Sequence, residues 1–380
     1  MTHSLTFDAV SESRPGPKWL ARWRRSWPSY QAWFIASGGD NGPDRAACEA
    51  ALRKYMPELV PVHAALVQLS GGSDRAARFL STWCPPRYLG GCSLACAVSK
   101  DDIRLVRNYD LSPELNEGLL LRSEWCGRPV MGMVEFLWGL SDGINAAGLS
   151  IVLAYGGRQA VGRGFGITTI LRYVLETCDT VDEALRVLQR VPSHMPYNII
   201  LADAQGGAAS VEIYAGGGAK VQPRLIATNH QNDGSAPDRG AFTHTYQRAD
   251  HLAGMLSTVA DPATLVGNFQ KAPLKQERYA EGFGTLFTAE YEPKQARMTL
   301  HWDGDIWRQS LARFEEGQKL ITYGAPHAAQ GGHIHDIDWV QIGMDYAAGR
   351  HPDWVQIGMD YAAGKQPDWR RFIPGWVDVA

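Results

Sequence analysis

Apolar residues recur at helical spacing in the first quarter of the chain. Residues 44–69 carry this period, and Asp44 can cap the helix that they predict. Ser73 can cap a second helix over 74–83, which Pro85 and Pro86 would end. Residues 1–40 contain several prolines and a Ser-Gly-Gly run, which predict a partly irregular arm. The start of the chain is therefore expected to be mostly helical.

The pattern changes after Gly90-Gly91 to short apolar runs separated by turn residues. Residues 93–99 and 103–109 read as a hairpin, joined by Lys-Asp-Asp. Further strands are predicted at 118–122, 130–137, 148–154, 197–202, 208–214, 224–228, 284–291 and 296–302. Helices are predicted at 165–177, at 181–190 behind the capping box of Thr180 and Glu183, and within 246–271.

The order of these elements indicates the fold class. Most strands follow one another through short turns, so antiparallel sheets are expected, with helices on their outer faces. This predicts an α+β protein built as a four-layer α/β/β/α sandwich. A parallel doubly wound sheet does not fit, because strands and helices do not alternate strictly.

Composition narrows the class of partner. The chain has 37 basic and 40 acidic residues and a formal net charge of −3, whereas nucleic acids and anionic membranes select basic surfaces. Neither a signal-peptide design nor a run of about 18 apolar residues occurs. Six scattered cysteines without a CxxC pair indicate reduced thiols. A cytoplasmic location is expected, with no membrane or nucleic-acid partner.

A tandem repeat marks the C-terminal end. The 15 residues at 338–352 return almost unchanged at 353–367, and each unit has a capping Asp, an apolar stripe and a closing Gly and Pro. Two short helices are predicted, which either pack on the body or form a partner or homo-oligomer contact. Three regions are expected: a mostly helical one at 1–91, a strand-rich one at 92–325 and a helical repeat tail at 326–380.

Candidate chemistry centres on Cys92. If 93–99 and 103–109 pair, Arg107 and Asp110 return close to this thiol. Free cysteine has a pKa of about 8.5, which a nearby cation lowers. If Cys92 became the first residue of a chain, its own amine, with a pKa of about 7.7–8.0, would be a base near neutrality.

The residues around Cys92 resemble a known group of enzymes. The run GCSLACAVSKDDIRLVRNYDL resembles the nucleophile region of the choloylglycine hydrolase and penicillin V acylase families, and still more that of the isopenicillin N acyltransferase-like family. Further motifs of this resemblance follow in order, at Asp142–Leu149, Tyr155, Ala227–His230, Glu277–Tyr279 and Gly284–Thr288. The likeness spans roughly residues 90–303.

The resemblance implies an N-terminal-nucleophile (Ntn) hydrolase that cuts its own Gly91–Cys92 bond, with 1–91 as a pro-segment and 92–325 as the catalytic domain. It implies Cys92 as nucleophile, Asn229 and Tyr155 as oxyanion donors, and Arg278 as a further site residue. The substrate would be a small acyl amide or thioester, with no cofactor and no metal. Water or an amine would take the acyl group, and the sequence leaves hydrolysis and transfer open. Contacts with substrate are expected from Asn145, Arg158 and Arg163, of which the two arginines suit an anionic thioester.

Other interpretations remain open at this point. Cys96 shares the strand face of Cys92 and is a rival nucleophile. His194 and His230, with Asn229, permit a papain-like arrangement. A metal site is the weak alternative for a short acidic and histidine-containing run, namely His333, His335, Asp336 and Asp338. An uncut, non-catalytic relative that binds acyl compounds or assists a partner is the alternative from another class.

Overall fold

The computed structural model describes residues 3–88 and 90–324, which form one unit. The helices of these ranges are α1 (Pro17–Ala36), α2 (Arg45–Tyr55), α3 (Val60–Leu69), α4 (Asp74–Ser81), α5 (Ile167–Thr177), α6 (Val181–Arg190), α7 (Gly240–Thr243), α8 (Thr245–Leu256) and α9 (Leu265–Phe269). The first eight strands are β1 (His3–Ser11), β2 (Gly91–Val98), β3 (Ile103–Leu111), β4 (Leu119–Ser123), β5 (Val130–Glu135), β6 (Gly139–Leu140), β7 (Asp142–Asn145) and β8 (Ser150–Tyr155). The others are β9 (Tyr197–Ala202), β10 (Ala208–Ile213), β11 (Ala219–Gln222), β12 (Ile226–Ala227), β13 (Glu277–Arg278), β14 (Phe283–Glu292), β15 (Arg297–Trp302), β16 (Asp305–Ser310) and β17 (Gly317–Tyr323).

Two sheets contain these strands. The larger has ten strands in the order β11-β10-β9-β8-β7-β5-β4-β1-β17, with β6 paired to β5. The smaller has seven, in the order β12-β2-β3-β14-β15-β16, with β13 paired to β14. Among the described strands, only the pair of β1 and β4 is parallel. The expectation of a mixed α/β fold with antiparallel-rich sheets is confirmed.

Strand alternation divides the core into three apolar clusters. In β4, Leu119 and Leu121 join the cluster that holds α1 to α6, whereas Leu120 joins the cluster shared by the two sheets. In β2, Cys92, Leu94 and Cys96 enter the shared cluster, whereas Ala95 and Ala97 pack with apolar residues of α8 and α9. Because side chains alternate along a strand, Cys92 and Cys96 lie on the face between the sheets.

The N-terminal arm differs from the sequence prediction. Residues 3–11 form β1, which pairs with β4 and β17, and Pro17 occupies the first turn of the 20-residue α1. Proline is favourable at that position, because the first helical N–H groups have no partner within the helix. The strand escaped prediction because its partners lie more than a hundred residues away in sequence.

Two predicted helices are each divided in the structure. The stretch 44–69 breaks at Met56 before Pro57, giving α2 and α3, and 246–271 is interrupted between Leu256 and Leu265, giving α8 and α9. Proline disfavours the helical conformation of the residue before it. The predicted caps are confirmed: the Asp44, Ser73 and Thr180 side chains each accept a backbone N–H bond.

Some predictions fall outside the described residues, namely the repeat tail, the boundary at 325 and the histidines of the metal alternative. Within residues 3–88 and 90–324, no helix has both the length and the apolar content to cross a bilayer. All six cysteines are free, as the sequence predicts for reduced thiols. The cytoplasmic location stays a prediction.

Candidate active site

Cys92 lies at the beginning of β2, with its side chain 1% exposed. Its backbone N–H donates to Asn229 Oδ1 at 3.1 Å, and its carbonyl oxygen accepts from Arg248 Nη1 at 2.6 Å. Across the β2–β3 pair it faces Tyr109, and Gly91 faces Asp110. The predicted hairpin is thus confirmed, and it brings Asp110 beside the Gly91–Cys92 bond.

Arg107 contacts the thiol directly. Its Nη2 donates to Cys92 Sγ at 3.3 Å, and its Nη1 lies 2.7 Å from Asp142 Oδ2 and also donates to Ser141. The guanidinium lies over the Tyr109 ring, 4.3 Å from its centroid. Arg107 and Asp142 are fully buried, so the carboxylate compensates the buried cation and holds it against the sulfur.

The surroundings of Cys92 favour the protonated thiol near neutral pH. Burial raises the pKa of Cys92 to about 11; Arg107 opposes that shift and Asp110 adds to it. A thiol, not a thiolate, is a weak nucleophile. A base is therefore needed before Cys92 can attack a carbonyl.

Asp110 has an unused acceptor in this buried place. Its Oδ1 accepts from Thr285 Oγ1 at 2.7 Å, whereas its Oδ2 has no hydrogen bond within the described part of the chain. Arg248 Nη1 lies 3.8 Å from that Oδ2. Burial raises the pKa of Asp110, and the cation of Arg248 opposes this most strongly. The free oxygen is suited to receive a new N–H donor near Cys92.

The Asn229 side chain hydrogen-bonds the backbones of both Cys92 and Tyr155. Its Oδ1 accepts from Cys92 N and Arg248 Nη2, and its Nδ2 donates to the backbone oxygen of Tyr155 at 3.1 Å. The Tyr155 hydroxyl is buried and has no partner among the described residues. In this state the Asn229 amide is engaged by Tyr155 rather than free for an oxyanion.

Arg248 is a buried residue that the sequence interpretation missed. It is fully buried on α8, and besides Cys92 and Asn229 it contacts Ser93 Oγ at 2.8 Å and the Thr243 carbonyl oxygen. Its segment, TYQRADHL, shows only helical periodicity. An arginine on a helix is usually solvated, so nothing local indicated a buried role.

Arg278, the arginine chosen from the resemblance, contacts aromatic residues rather than Cys92. Its Nη2 donates to the Phe242 carbonyl oxygen at 2.6 Å, and its guanidinium lies over the rings of Phe242 and Phe283. It is partly exposed and also pairs with Glu281 at 3.6 Å. Its contacts are with the wall beside Gly91 rather than with the thiol.

Gly91 is required by packing rather than by a turn. It lies in β2 and outside the left-handed region. A Cβ at this position would come within 2.3 Å of the Phe283 ring and 3.1 Å of the Asp110 carbonyl oxygen. The residue before Cys92 is therefore confined between β3 and Phe283.

The expected substrate-contact residues are engaged elsewhere. Asn145 donates to the carbonyls of Leu175 and Cys178 and accepts from two N–H groups of its own turn. This uses all four hydrogen bonds of its amide and gives no support to substrate contact. Arg158 pairs with Asp233 and bonds Gln231 and Ser235. Arg163 is exposed, with its guanidinium 5.9 Å from the centroid of the Trp83 ring.

No contact among the described residues supports Cys96 as the nucleophile or a papain-like arrangement. Burial alone raises the pKa of the Cys96 thiol well above its ordinary range, and no cation opposes it. His194 donates to the Gly162 carbonyl oxygen, and His230 hydrogen-bonds the hydroxyls of Thr228 and Thr245. Neither imidazole is hydrogen-bonded to Cys92, as the papain-like alternative requires.

The model of the acyl-coenzyme A:6-aminopenicillanic acid acyl-transferase family matches residues 98–307, more than half of the chain. The chain therefore belongs to this family, one of the acyltransferases and amidases of the Ntn-hydrolase group. The matched range begins downstream of Cys92, so it does not itself test the nucleophile.

Several solved structures are similar to this chain. Penicillin V acylase from Agrobacterium tumefaciens is 16% identical, with a TM-score of 0.42 over 58% of this chain and 86% of that one. The N-acylethanolamine-hydrolyzing acid amidase ortholog of Caenorhabditis elegans is 18% identical, with a TM-score of 0.41 over 53% of this chain and 93% of that one. A variant of conjugated bile acid hydrolase from Clostridium perfringens is 12% identical, with a TM-score of 0.38 over 64% and 99%. No curated protein sequence matches the chain significantly.

Proposed function

We propose that this protein is a self-processing cysteine amidohydrolase or acyltransferase, in which Cys92 carries the acyl group. The supporting observation is the contact of Arg107 Nη2 with Cys92 Sγ, 3.3 Å, at the residue that follows the Gly91–Cys92 bond. A guanidinium at this distance stabilises a thiolate. The other contacts of Cys92 are to Asn229 and Arg248, and these hold its backbone.

Self-cleavage begins in the uncut chain. The Cys92 thiol loses its proton and attacks the Gly91 carbonyl carbon, and the C–N bond breaks as the nitrogen takes a proton. The products are a thioester between Gly91 and Cys92 Sγ and a free Cys92 amine. Water then hydrolyses the thioester, which leaves a Gly91 carboxylate and a free thiol. The unpartnered Asp110 Oδ2 suits the new ammonium, because a buried acceptor gains its missing partner.

Turnover repeats this chemistry on a substrate. The Cys92 amine takes the thiol proton, the thiolate attacks an acyl amide or thioester carbonyl, and the amine returns the proton to the leaving group. Asn229 and Tyr155 would donate to the oxyanion, once the Asn229 amide turns from the Tyr155 carbonyl. One such donor lowers the barrier by about 2.7–4 kcal/mol. Water or an amine then takes the acyl group from Cys92.

The proposal assigns residues 1–91 to a pro-segment and 92–325 to the catalytic domain. We infer that the layers are ordered helix, sheet, sheet, helix. The support is that α5 and α6 share a cluster with the larger sheet, whereas α8 and α9 share one with the smaller sheet. The third cluster contains residues of both sheets.

Intact mass and N-terminal sequencing of the purified protein test the proposal. A new N-terminus at Cys92 is expected, which Cys92→Ala abolishes and the matched variant Cys96→Ala retains. Incubation with an acyl amide should add the acyl mass to the fragment that begins at Cys92. A single uncut chain that stays active as Cys92→Ala would refute the proposal, and an uncut chain without any activity would favour the non-catalytic acyl-binding alternative.

A further inference from the structure

Glu135, at the end of β5, lies on the same side of the core as the Cys92 thiol. Met131 and Met133 of β5 belong to the apolar cluster that the two sheets share, and so does Cys92 of β2. Because side chains alternate along a strand, Glu135 follows the two methionines onto the face between the sheets. It is half-buried there, and no step of the proposed mechanism uses it.

A hydrogen bond links Glu135 to the residues that surround the thiol. Its Oε1 accepts from the Tyr109 hydroxyl, whereas its Oε2 accepts no hydrogen bond from residues 3–88 and 90–324. Tyr109 faces Cys92 across the β2–β3 pair, and the Arg107 guanidinium lies 4.3 Å from the centroid of the Tyr109 ring. The same guanidinium donates to Cys92 Sγ at 3.3 Å. Glu135 is therefore linked through Tyr109 to the cation that contacts the thiol.

Two other carboxylates near Cys92 are less suited to accept the proton of its thiol. Asp142 has both of its oxygens hydrogen-bonded, one of them by Arg107. Asp110 comes three residues after Arg107 in β3, so its side chain lies on the opposite face of the strand. It stands opposite Gly91, beside the backbone of the bond to be cut. Glu135, by contrast, shares the face of the sulfur.

The buried charges around the thiol stay balanced if a proton moves within them. Arg107 and Asp142 form a fully buried ion pair, and Glu135 adds one carboxylate. A proton that moves from Cys92 Sγ to Glu135 carries the negative charge from the carboxylate to the sulfur, and the total charge does not change. Since an additional unpaired buried charge is costly, this transfer is favoured over loss of the thiol proton to solvent.

We propose that Glu135 takes the Cys92 proton in self-cleavage, by way of one water beside Tyr109, before a free amine exists. This inference rests on the proposed function. The S–H bond breaks as Sγ bonds to the Gly91 carbonyl carbon, and Glu135 becomes neutral. When the C–N bond breaks, that proton passes to the Cys92 nitrogen, and Glu135 is a carboxylate again. The new amine lies on the same residue as the thiol, so it takes over as the base in turnover.

Groups on several elements act on the titration of Glu135. Burial raises its pKa to about 7, and Glu117 adds to this shift, whereas Arg107 and the hydrogen bond from Tyr109 oppose it. Removal of the Tyr109 hydroxyl should therefore raise the Glu135 pKa further, and neutralising Glu117 should lower it. The titratable and charged groups that face Glu135 are Tyr30 of α1, Tyr88, Cys92 of β2, Arg107 and Tyr109 of β3, Glu117, Asp142 of β7 and Tyr197 of β9.

The rate of chain cleavage between pH 5 and pH 9 tests the inference. Chains pulse-labelled in cell-free translation are shifted to each pH and followed on denaturing gels. The wild-type rate should rise through about pH 7 and then level off, as Glu135 ionises. Glu135→Gln should cleave about a hundredfold more slowly at pH 7.5. Its rate should keep rising to pH 9, because hydroxide alone then removes the thiol proton.

Two further variants separate this role from a structural one. Tyr109→Phe keeps the ring but not the hydroxyl, so the midpoint of the rate profile should move to higher pH. Glu117→Gln is the matched carboxyl control, because Glu117 bonds Tyr30 and the Leu137 N–H instead; its plateau rate should stay that of wild type, with the midpoint at lower pH. A Glu135→Gln chain that cleaves at the wild-type rate, or an unmoved midpoint in Tyr109→Phe, would overturn the inference.

Turnover after cleavage gives an independent readout. Glu135→Gln that has been left until fully cut should lose at least tenfold less in kcat for an acyl amide than it loses in cleavage rate, since the Cys92 amine is then the base. Equal losses in the two rates would overturn the inference, because they would indicate general damage to the site. A wild-type chain that is never cut, by contrast, would overturn the proposed function.

Discussion

Two buried arginines contact Cys92 at different atoms. Arg107 donates to the thiol, whereas Arg248 donates to the carbonyl oxygen and to Asn229 Oδ1. The charge of Arg107 is compensated by the carboxylate of Asp142, with 2.7 Å between Nη1 and Oδ2. The carboxylate of Asp110 lies 3.8 Å from Arg248 Nη1. Each cation thus has its own carboxylate, and the two arginines differ in what they contact: Arg107 contacts the sulfur of Cys92, and Arg248 contacts its backbone.

Replacing Arg248 should damage the site more than replacing Arg278. Arg248→Ala leaves Asp110 without its nearest cation and removes two contacts around Cys92, so we expect a loss of about 3 kcal/mol in unfolding free energy and strongly slowed processing. Arg278→Ala, which loses a bond to Phe242, should cost less than 1 kcal/mol. Urea unfolding and the half-time of chain cleavage on denaturing gels measure both. If Arg278→Ala slowed chain cleavage more than Arg248→Ala, Arg278 would be the more important site arginine, as the resemblance implies.

Glu135 should make stability depend on pH. Burial raises its pKa to about 7, although Arg107 and a hydrogen bond from Tyr109 oppose the shift. Because the folded-state pKa exceeds the ordinary value, the stability that Glu135 contributes is complete below about pH 4.3 and is lost as pH rises through 7. Glu135→Gln cannot ionise, so its melting temperature should rise relative to wild type between pH 5 and pH 8. A constant difference across that range would contradict this.

At the level of elements, the β2–β3 hairpin brings Cys92, Arg107 and Asp110 together. The register pairs Gly91 with Asp110 and Cys92 with Tyr109, and β14 adds Thr285 opposite Asp110. The start of β2 is closed by Phe283 against Gly91. The position of the Gly91–Cys92 bond therefore depends on the packing of three strands.

Gly91→Ala should therefore destabilise this corner. Its Cβ would clash with the Phe283 ring, and overpacking of this kind costs about 1–3 kcal/mol. Gly90→Ala is the matched control, since a Cβ at Gly90 meets nothing within 4 Å. Gly91→Ala, but not Gly90→Ala, should lower the melting temperature and slow chain cleavage. Adding Phe283→Leu to Gly91→Ala should partly restore the melting temperature and the cleavage rate. Equal behaviour of the two variants would show that Gly91 is not confined.

On the scale of the whole molecule, the segment before Cys92 is part of the fold rather than an appendage. β1 lies between β4 and β17 in the larger sheet, and α1 buries Trp19, Trp23 and Phe34. Removing this segment would expose two strand edges and a large apolar surface. Cutting the Gly91–Cys92 bond should therefore leave two chains in one particle.

Co-elution of the two fragments tests this expectation. After processing, size-exclusion chromatography in native buffer should give one peak that holds fragment 1–91 and the fragment from Cys92, and denaturant should separate them. Phe7→Asp should release the short fragment, because Phe7 is fully buried between the sheets. Thr6→Asp on the exposed face of β1 should not. Separation of unmodified fragments in native buffer would be the contrary result.

The sequence by itself determined the local features of this protein. Helix caps at Asp44, Ser73 and Thr180 are confirmed because each depends on a side chain and an N–H group two or three residues away. The β2–β3 hairpin is confirmed for a similar reason, since its alternation and its turn are adjacent. The order of motifs also indicated the family correctly.

Tertiary structure alone decided the long-range features. β1 pairs with strands that are distant in sequence, and Arg248 lies 156 residues from the carbonyl that it contacts. The periodicity of a segment does not indicate such distant partners, because burial of a charged side chain depends on the elements that surround it. The same holds for a cluster of aromatic rings, namely Tyr30 and Trp33 of α1, Tyr88, Phe136 after β5, and Tyr197 of β9. Sequence therefore indicated Cys92 as a candidate nucleophile, and packing decided what surrounds it.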